Sequence, residues 1–125
     1  DYSICVDEEH MRNVLNYYHF THLITTLRNS ISASDNGWSG AVCTKDDFYK
    51  GRDYMLHIVD RVGGGDSFAS GFLHGFLADM GAKKALEFGL SAAAIKHTIP
   101  GDLNYINEAE VLGMIESDGT GRVQR

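Results

Sequence analysis

The sequence predicts an α/β fold in which short strands are followed by helices that pack on them. Short apolar runs rich in β-branched residues occupy much of the first half, where polar turns separate them. The second half carries apolar residues at helical spacing instead. Three consecutive glycines lie between the strand-like first half and the helix-like second half. Strands that lead into packed helices are typical of α/β domains.

A short amphipathic helix is predicted at the start of the chain. Asp7 is suited to cap it, because an Asp side chain accepts hydrogen bonds from the N–H groups of the first turn. Glu8 and Glu9 follow where the helix dipole favours negative charge. Met11, Val14, Leu15 and Tyr18 then fall at helical spacing and predict the apolar face of this helix.

A meander of strands is predicted next. Residues 22–27 are apolar and β-branched, as expected for a buried strand. The Asp-Asn-Gly sequence at 35–37 predicts a tight turn, because Asn and Gly accept the positive φ that such turns need. Further strands are predicted over residues 38–43 and 48–59, joined through a polar turn at 44–47.

Three helices are predicted after the glycines. Apolar residues recur every four positions over 68–80 and form one face of the first helix, which we expect to end at Gly81. Gly71 and Gly75 on this helix permit close packing against a neighbour. The second helix, at about 83–97, is small and apolar. The third begins at Asn107, where a Glu three residues later predicts a capping box.

Composition and charge exclude several classes of function. The 125 residues correspond to one domain or to a part of one, and the net charge of -6 argues against a general nucleic-acid binder. Cys5 and Cys43 show neither a metal-ligand spacing nor a disulfide framework, which favours free thiols in a reducing compartment. No apolar run approaches the roughly 20 residues that span a bilayer. We expect a cytoplasmic protein that binds neither membrane nor nucleic acid.

The three glycines at 63–65 are the segment most indicative of chemistry. Consecutive glycines lose much backbone entropy on folding, so their presence calls for a physical reason. Glycine lets backbone N–H groups turn together toward an anion, and the unpaired N–H groups of the following helix point the same way. The loop matches neither the Walker motif nor the dinucleotide fingerprint, whose third glycine would fall at Phe68. It predicts a phosphate site, and a strand-to-helix turn without a ligand is the alternative.

Asp66 follows the glycines directly, and two roles are open for it. It could act simply as a helix cap. A carboxylate beside an anion site repels phosphate, however, so a loop that only binds phosphate would gain by avoiding it. A kinase needs such a group, because something must orient the attacking hydroxyl and accept its proton. The sequence therefore favours phosphoryl transfer, with the loop amides offsetting charge on the transferred group.

The segment 60–68, Asp-Arg-Val-Gly-Gly-Gly-Asp-Ser-Phe, resembles the C-terminal Asp-x-x-Gly-Ala-Gly-Asp signature of the ribokinase-like (PfkB) carbohydrate kinases. Other segments are similar to the 2-keto-3-deoxygluconate kinases among them: Leu27-Arg28-x-Ser30, Asp35-Asn36-Gly37-Trp38, residues 96–102 and residues 121–125. The resemblance implies a ribokinase-like α/β fold, in which a mostly parallel sheet is flanked by helices. Residues 1–125 would form its C-terminal portion, without the N-terminal sugar-binding part and lid.

The resemblance also implies roles at the glycine loop. Asp66 would be the catalytic base, and the backbone N–H groups of Gly63, Gly64 and Gly65 would form the anion hole. Relatives more often carry Ala at the position of Gly64, and the Gly of this chain is expected to be tolerated there. Asp60 falls where relatives often bind a monovalent cation, and a turn carboxylate without a ligand is the alternative.

Further roles follow from the resemblance for the nucleotide. Thr26, Arg28 and Ser91 would contact ATP, although a small residue that packs helix on sheet is an alternative for Ser91. ATP with Mg²⁺ and a sugar or sugar acid are the implied partners, with 2-keto-3-deoxygluconate as the expected acceptor. No metal ligand is expected from protein side chains, and a homo-oligomer stays open. The chain by itself is expected to phosphorylate sugar weakly or not at all.

Two other functions stay open. A nucleotide-binding module without catalytic activity would need the same loop. A serine esterase is suggested by Gly65-Asp66-Ser67, but that chemistry needs a His to activate Ser67. In esterases of this kind an Asp-x-x-His sequence lies downstream, whereas the match in this chain, residues 7–10, lies far upstream.

Overall fold

The computed structural model describes residues 7–117 and contains, within them, one four-stranded sheet and four helices. In chain order the elements are α1 Glu8–Tyr17, β1 His22–Ser30, β2 Asp35–Thr44, β3 Phe48–Lys50, β4 Tyr54–His57, α2 Gly64–Leu77, α3 Ala82–Lys96 and α4 Glu108–Ile115. This order of strands followed by helices confirms the predicted α/β class. Cys5 and the closing segment 121–125, on which part of the resemblance rests, lie outside the described residues.

The sheet is built around β2. Strand β1 pairs with β2 from His22 opposite Thr44 to Ser30 opposite Asn36, and β3 and β4 pair with successive parts of β2. The three ladders are antiparallel, as the predicted meander requires. The mostly parallel pairing expected for the whole sheet is not found among these strands. Parallel neighbours need a crossover of a dozen or more residues, and these strands are joined by links of only three or four.

The turn predicted at 35–37 is wrong, because these residues lie inside β2. The hairpin turn is at 31–34 instead, where the Ser32 hydroxyl accepts a hydrogen bond from the Asp35 N–H at 2.9 Å. Asn36 is fully buried, and Gly37 pairs with Asn29. A Cβ on Gly37 would lie 3.3 Å from the Cβ of Asn29. Glycine at this position therefore allows β1 and β2 to pack closely and does not form a turn.

The strand predicted over 48–59 is interrupted at 51–53. Gly51 lies against α3, where an added Cβ would be 2.3 Å from a methyl carbon of Leu90. The N–H of Arg52 donates to the Glu87 carboxylate at 3.0 Å instead of to a neighbouring strand. Contact with α3 therefore takes this segment out of the ladder and divides it into β3 and β4.

The helix starts match the predictions, and one helix end does not. The Asp7 carboxylate accepts from the His10 N–H at 3.3 Å, and Asn107 and Glu110 form a reciprocal capping box. Helix α2 ends at Leu77, before Gly81. The chain leaves the helix through Asp79, whose φ is +60°, a conformation that Asp tolerates better than most residues. Gly81 caps the start of α3 rather than the end of α2.

Small residues bring α2 and α3 close together. A Cβ added to Gly71 would lie 2.8 Å from the Cα of Gly89, and one added to Gly75 would lie 2.8 Å from the Cα of Ala85. The predicted close packing at Gly71 and Gly75 is confirmed. Helix α3 in turn covers β2, and the Trp38 indole N–H donates to the Leu90 carbonyl at 3.2 Å. Within the part of the chain that the structure describes, no helix combines the length and the apolar character needed to cross a membrane.

Substitution of Gly71 by Ala should destabilise the fold by about 1–3 kcal/mol, because the added methyl group overfills the helix contact. Gly113 in α4 is the matched control, since an added Cβ there meets nothing within 4 Å. Gly113→Ala should stabilise by about 0.5–1 kcal/mol through helix propensity. Urea unfolding followed by circular dichroism measures both changes. Equal stability of the two variants would contradict the close approach of α2 and α3.

Candidate active site

The loop between β4 and α2 is tied to the turn that follows α3. The N–H groups of Val59 and Asp60 both donate to the His97 carbonyl, at 2.8 and 3.2 Å. The Asp60 carboxylate accepts from the Val62 N–H at 3.0 Å and from the Gly101 N–H at 2.8 Å. These two backbone donors hold the pKa of Asp60 below its usual range. Asp60 therefore bridges the glycine loop and the 99–102 turn.

Gly63 allows the loop to turn tightly into α2. It is the N-cap with φ +81°, and an added Cβ would lie 2.6 Å from the Asp102 carbonyl oxygen. No side chain caps this helix. Ser67 N–H makes the first helical hydrogen bond, to the Gly63 carbonyl at 2.9 Å, and the Gly64 N–H donates to the Arg61 carbonyl at 3.2 Å.

Three backbone amides at the start of α2 are therefore unpaired. The N–H groups of Gly63, Gly65 and Asp66 have no acceptor within residues 7–117. They lie at the positive end of the helix dipole, where N–H groups favour an anion. Gly65 leaves this surface open, because an added Cβ there meets nothing within 4 Å. The loop thus has N–H donors suited to an anion. The Gly64 N–H is not one of them, because it donates to the Arg61 carbonyl.

Gly64 rests on a buried histidine. A Cβ at this position would lie 2.7 Å from Cε1 of His97, which is fully buried. His97 Nδ1 lies 2.6 Å from the Ala93 carbonyl and must donate to it, so Nε2 accepts from the Arg28 guanidinium at 2.7 Å. Burial lowers the pKa of His97, and the adjacent Arg28 charge lowers it further, so the ring is neutral. An Ala at position 64 would therefore have to displace this ring, whereas the Gly of this chain fits against it.

Asp66 lies in the first turn of α2 at the edge of a cavity of about 420 Å³. Its side chain is exposed and makes no hydrogen bond with any residue of the described range. The cavity extends between α2, α3, α4 and the 102–107 segment, with Phe88, Ala92 and Val111 among its apolar walls and Ser70 at its polar side. A size of this order suits a small-molecule ligand (pockets run from roughly 300 to 1,000 Å³).

Asn104 shapes this cavity, and sequence reasoning missed it. Its side-chain amide donates to the Ser67 hydroxyl at 3.1 Å and to the Ala92 carbonyl at 3.2 Å. The 102–107 segment is thereby held across the ends of α2 and α3. The segments that carry the resemblance include residues 96–102 but not Asn104, and no spacing in the sequence indicates that Asn104 faces Ser67.

The esterase alternative finds no support in this arrangement. Ser67 is buried, and its hydroxyl accepts from Asn104. Within residues 7–117 no histidine is hydrogen-bonded to it, whereas a nucleophilic serine needs such a base. The Asp7 carboxylate, which belonged to the only Asp-x-x-His match, caps α1 through the His10 N–H.

The three residues expected to contact ATP lie in different surroundings. Thr26 is exposed on β1, opposite Gly40. Arg28 is half-buried beneath the glycine loop, where it contacts His97 and lies 5.2 Å from the Trp38 ring centre. Ser91 is fully buried, and its hydroxyl is 2.6 Å from that of Tyr54. Ser91 therefore packs α3 on the sheet, and its side chain does not line the cavity.

Comparison with known proteins supports the resemblance found in the sequence. The family described as pfkB family carbohydrate kinase matches residues 35–108, more than half of the chain. The chain is 35% identical over 75 residues to a 5-dehydro-2-deoxygluconokinase of Halalkalibacterium halodurans, covering 58% of this chain and 22% of that protein. It is also 35% identical over 68 residues to a 2-dehydro-3-deoxygalactonokinase of Haloferax volcanii, covering 54% and 21%.

Solved structures give the same result. The chain is similar to the crystal structure of 2-dehydro-3-deoxygluconokinase from Thermotoga maritima, with a TM-score of 0.83, 38% identity and coverage of 86% of this chain and 33% of that one. A pfkB family carbohydrate kinase from Listeria grayi gives a TM-score of 0.82 and 30% identity, with coverage of 87% and 35%. The chain thus spans about a fifth of the curated relatives and about a third of these solved chains. With its glycine loop inside the matched range, the chain belongs to the pfkB family of carbohydrate kinases.

Proposed function

We propose that this protein transfers the γ-phosphoryl group of ATP to a hydroxyl of a sugar acid, with Asp66 as the base. One observation carries the proposal: an exposed carboxylate without an internal partner lies beside three unpaired amides at a helix start, on a cavity of ligand size. A cap or a structural carboxylate would be hydrogen-bonded to its neighbours. The family membership supports the same assignment.

The proposed reaction uses the helix start and the acid in different ways. The N–H groups of Gly63, Gly65 and Asp66 bind the phosphate tail and offset the charge that builds up on its oxygens. The Asp66 carboxylate orients the acceptor hydroxyl and takes its proton as the new O–P bond forms. The bond to the bridging oxygen breaks, and ADP leaves. Most of the rate effect in such a transfer comes from positioning and electrostatics.

Mg²⁺ is expected to arrive with the nucleotide. Among residues 7–117, no group of three or more His, Cys, Asp or Glu side chains is arranged to hold a metal ion. Mg²⁺ keeps several waters and is commonly held by substrate phosphates with one or two carboxylates. Asp66 is an exposed carboxylate at the start of α2, beside the loop amides. When bound, the ion would neutralise charge on the β- and γ-phosphate oxygens.

The proposed acceptor is 2-keto-3-deoxygluconate, also written 2-dehydro-3-deoxygluconate. The similarity to the Thermotoga maritima enzyme supports it, because that enzyme is named as a kinase of this sugar acid and the match covers most of the chain. A second candidate is 5-dehydro-2-deoxygluconate, which several similar curated proteins are named for. Parallel assays with both acids would separate the two. Thr26 stays a proposed nucleotide contact, whereas Arg28 is proposed to support the loop through His97.

Asp66→Asn should lower kcat by about 10²–10⁴-fold, because the side chain keeps its shape but no longer accepts the proton. Nucleotide affinity should be unchanged or higher, since a negative charge near the phosphates is removed. A coupled ADP-release assay with 2-keto-3-deoxygluconate, on protein from the complete reading frame that carries this chain, measures the first effect. Calorimetry measures the second. Asp53→Asn, at an exposed position outside the cavity, is the control, and activity of Asp66→Asn within tenfold of wild type would disprove the assignment.

Gly64→Ala should destabilise the fold by about 1–3 kcal/mol, because its methyl group meets the buried ring of His97. Gly65→Ala, one residue along the same loop, should be close to wild type in stability because its methyl group meets no neighbour. Urea unfolding compares the two. The double variant Gly64→Ala/His97→Ala should lose less stability than the sum of the two single losses, because the methyl group no longer meets the ring. If Gly64→Ala is as stable as Gly65→Ala, His97 does not support the loop as described.

A further inference from the structure

Lys96, the last residue of α3, is fully buried below the glycine loop. Lysine is almost never fully buried unless its ammonium has a partner. Its Nζ donates to the Ile99 carbonyl at 2.9 Å. Its stem lies under the N-cap of α2, since a Cβ on Gly63 would be 3.4 Å from Cε of Lys96. The ammonium is therefore inside the junction between the glycine loop and the 99–102 turn.

The same junction presents the oxygen atoms that a monovalent cation would use. Ile99 contributes a carbonyl oxygen, and the Asp60 carboxylate bridges the two loops through Val62 and Gly101. The charge of Lys96 is close enough to Asp60 to add to the lowering of its pKa. Sites for K⁺ are formed by such oxygens, which replace the water shell of the ion.

We propose that the Lys96 ammonium is a built-in replacement for a monovalent cation at this junction, so that the anion loop needs no bound K⁺ or Na⁺. A cation at Asp60, one of the two roles that the sequence left open for this residue, does not fit beside the Lys96 ammonium. Two positive charges at adjoining positions repel, and the Lys96 side chain of this pair would be fully buried. Both oxygens of Asp60 already accept backbone N–H groups.

This replacement would make the cation part of the chain itself. A bound ion is lost when its concentration falls, whereas an ammonium on α3 stays with the fold. It holds Ile99 close to the start of α2 and adds positive potential beneath the three unpaired amides. The shape of the anion loop should then depend on total ionic strength but not on which monovalent cation is present.

Thermal unfolding of the chain tests the proposal. Wild type should unfold at the same temperature, within about 1 °C, in potassium chloride and in tetramethylammonium chloride of equal ionic strength. Lys96→Ala removes the charge and leaves room for an ion, so it should unfold at a lower temperature in tetramethylammonium. Potassium should then restore at least about 4 °C of this loss in a saturable way. Lys84→Ala, an exposed lysine on the same helix, should show no potassium effect.

Two results would overturn the proposal. One is a saturable stabilisation of wild type by potassium relative to tetramethylammonium, and the other is a folded Lys96→Ala variant that gains nothing from potassium. If Lys96→Ala does not fold in either salt, the wild-type comparison still decides, and Lys96→Met supplies a variant that retains the packed stem. This test measures the unfolding temperature and does not depend on kinase activity. A failure of this proposal can therefore be told apart from a failure of the proposed phosphoryl transfer.

Discussion

The contact between the glycine loop and the segment from Lys96 to Asp102 is the constraint on which the site depends. Two positions of the loop have no room for a side chain, because the Asp102 carbonyl lies against Gly63 and the His97 ring lies against Gly64. Asp60 fastens the same two segments from the other side. Helix α2 consequently starts in a tight turn without a side-chain cap, and its first amides are left to face outward. The outward-facing amides are thus a consequence of backbone packing.

Charge is distributed around this contact in a way that suits phosphate chemistry. The groups beneath the loop are two cationic side chains, Arg28 and Lys96, with the neutral His97 between Arg28 and the loop. Asp66 is exposed at the cavity, which Asp102 and Glu108 also line. In the proposed reaction, the positive charge beneath the loop would favour an anionic nucleotide, and Asp66 would be available as the base for the acceptor hydroxyl. A carboxylate could not replace the cationic side chains beneath the loop, because its negative charge would repel the phosphates.

Local signals in the sequence predicted the parts of the fold that depend on neighbouring residues. Asp7 capped α1 and Asn107 with Glu110 capped α4, as expected, because capping is decided within one turn. The prediction failed where distant residues decide. Asn36-Gly37 has the composition of a turn, but pairing with β1 keeps it in a strand, and contact of Gly51 with Leu90 divides another strand in two. The sequence singled out the loop and Asp66 as a candidate site. It did not indicate Asn104 or the support from Lys96 and His97, because these residues reach the loop only after α3 has folded back onto α2.

The central claim is that the outward-facing amides of this helix start bind the phosphates of a nucleotide. Titration of the ¹⁵N-labelled chain with MgADP, followed by two-dimensional NMR, tests it most directly, with the exposed Gly113 in α4 as an internal reference. The account predicts that the N–H signals of Gly63, Gly65 and Asp66 shift most and saturate together, while that of Gly113 stays in place. Shifts that leave these three amides unchanged, or that concentrate in the groove between β1 and α2 around Phe72 and Phe76, would contradict it.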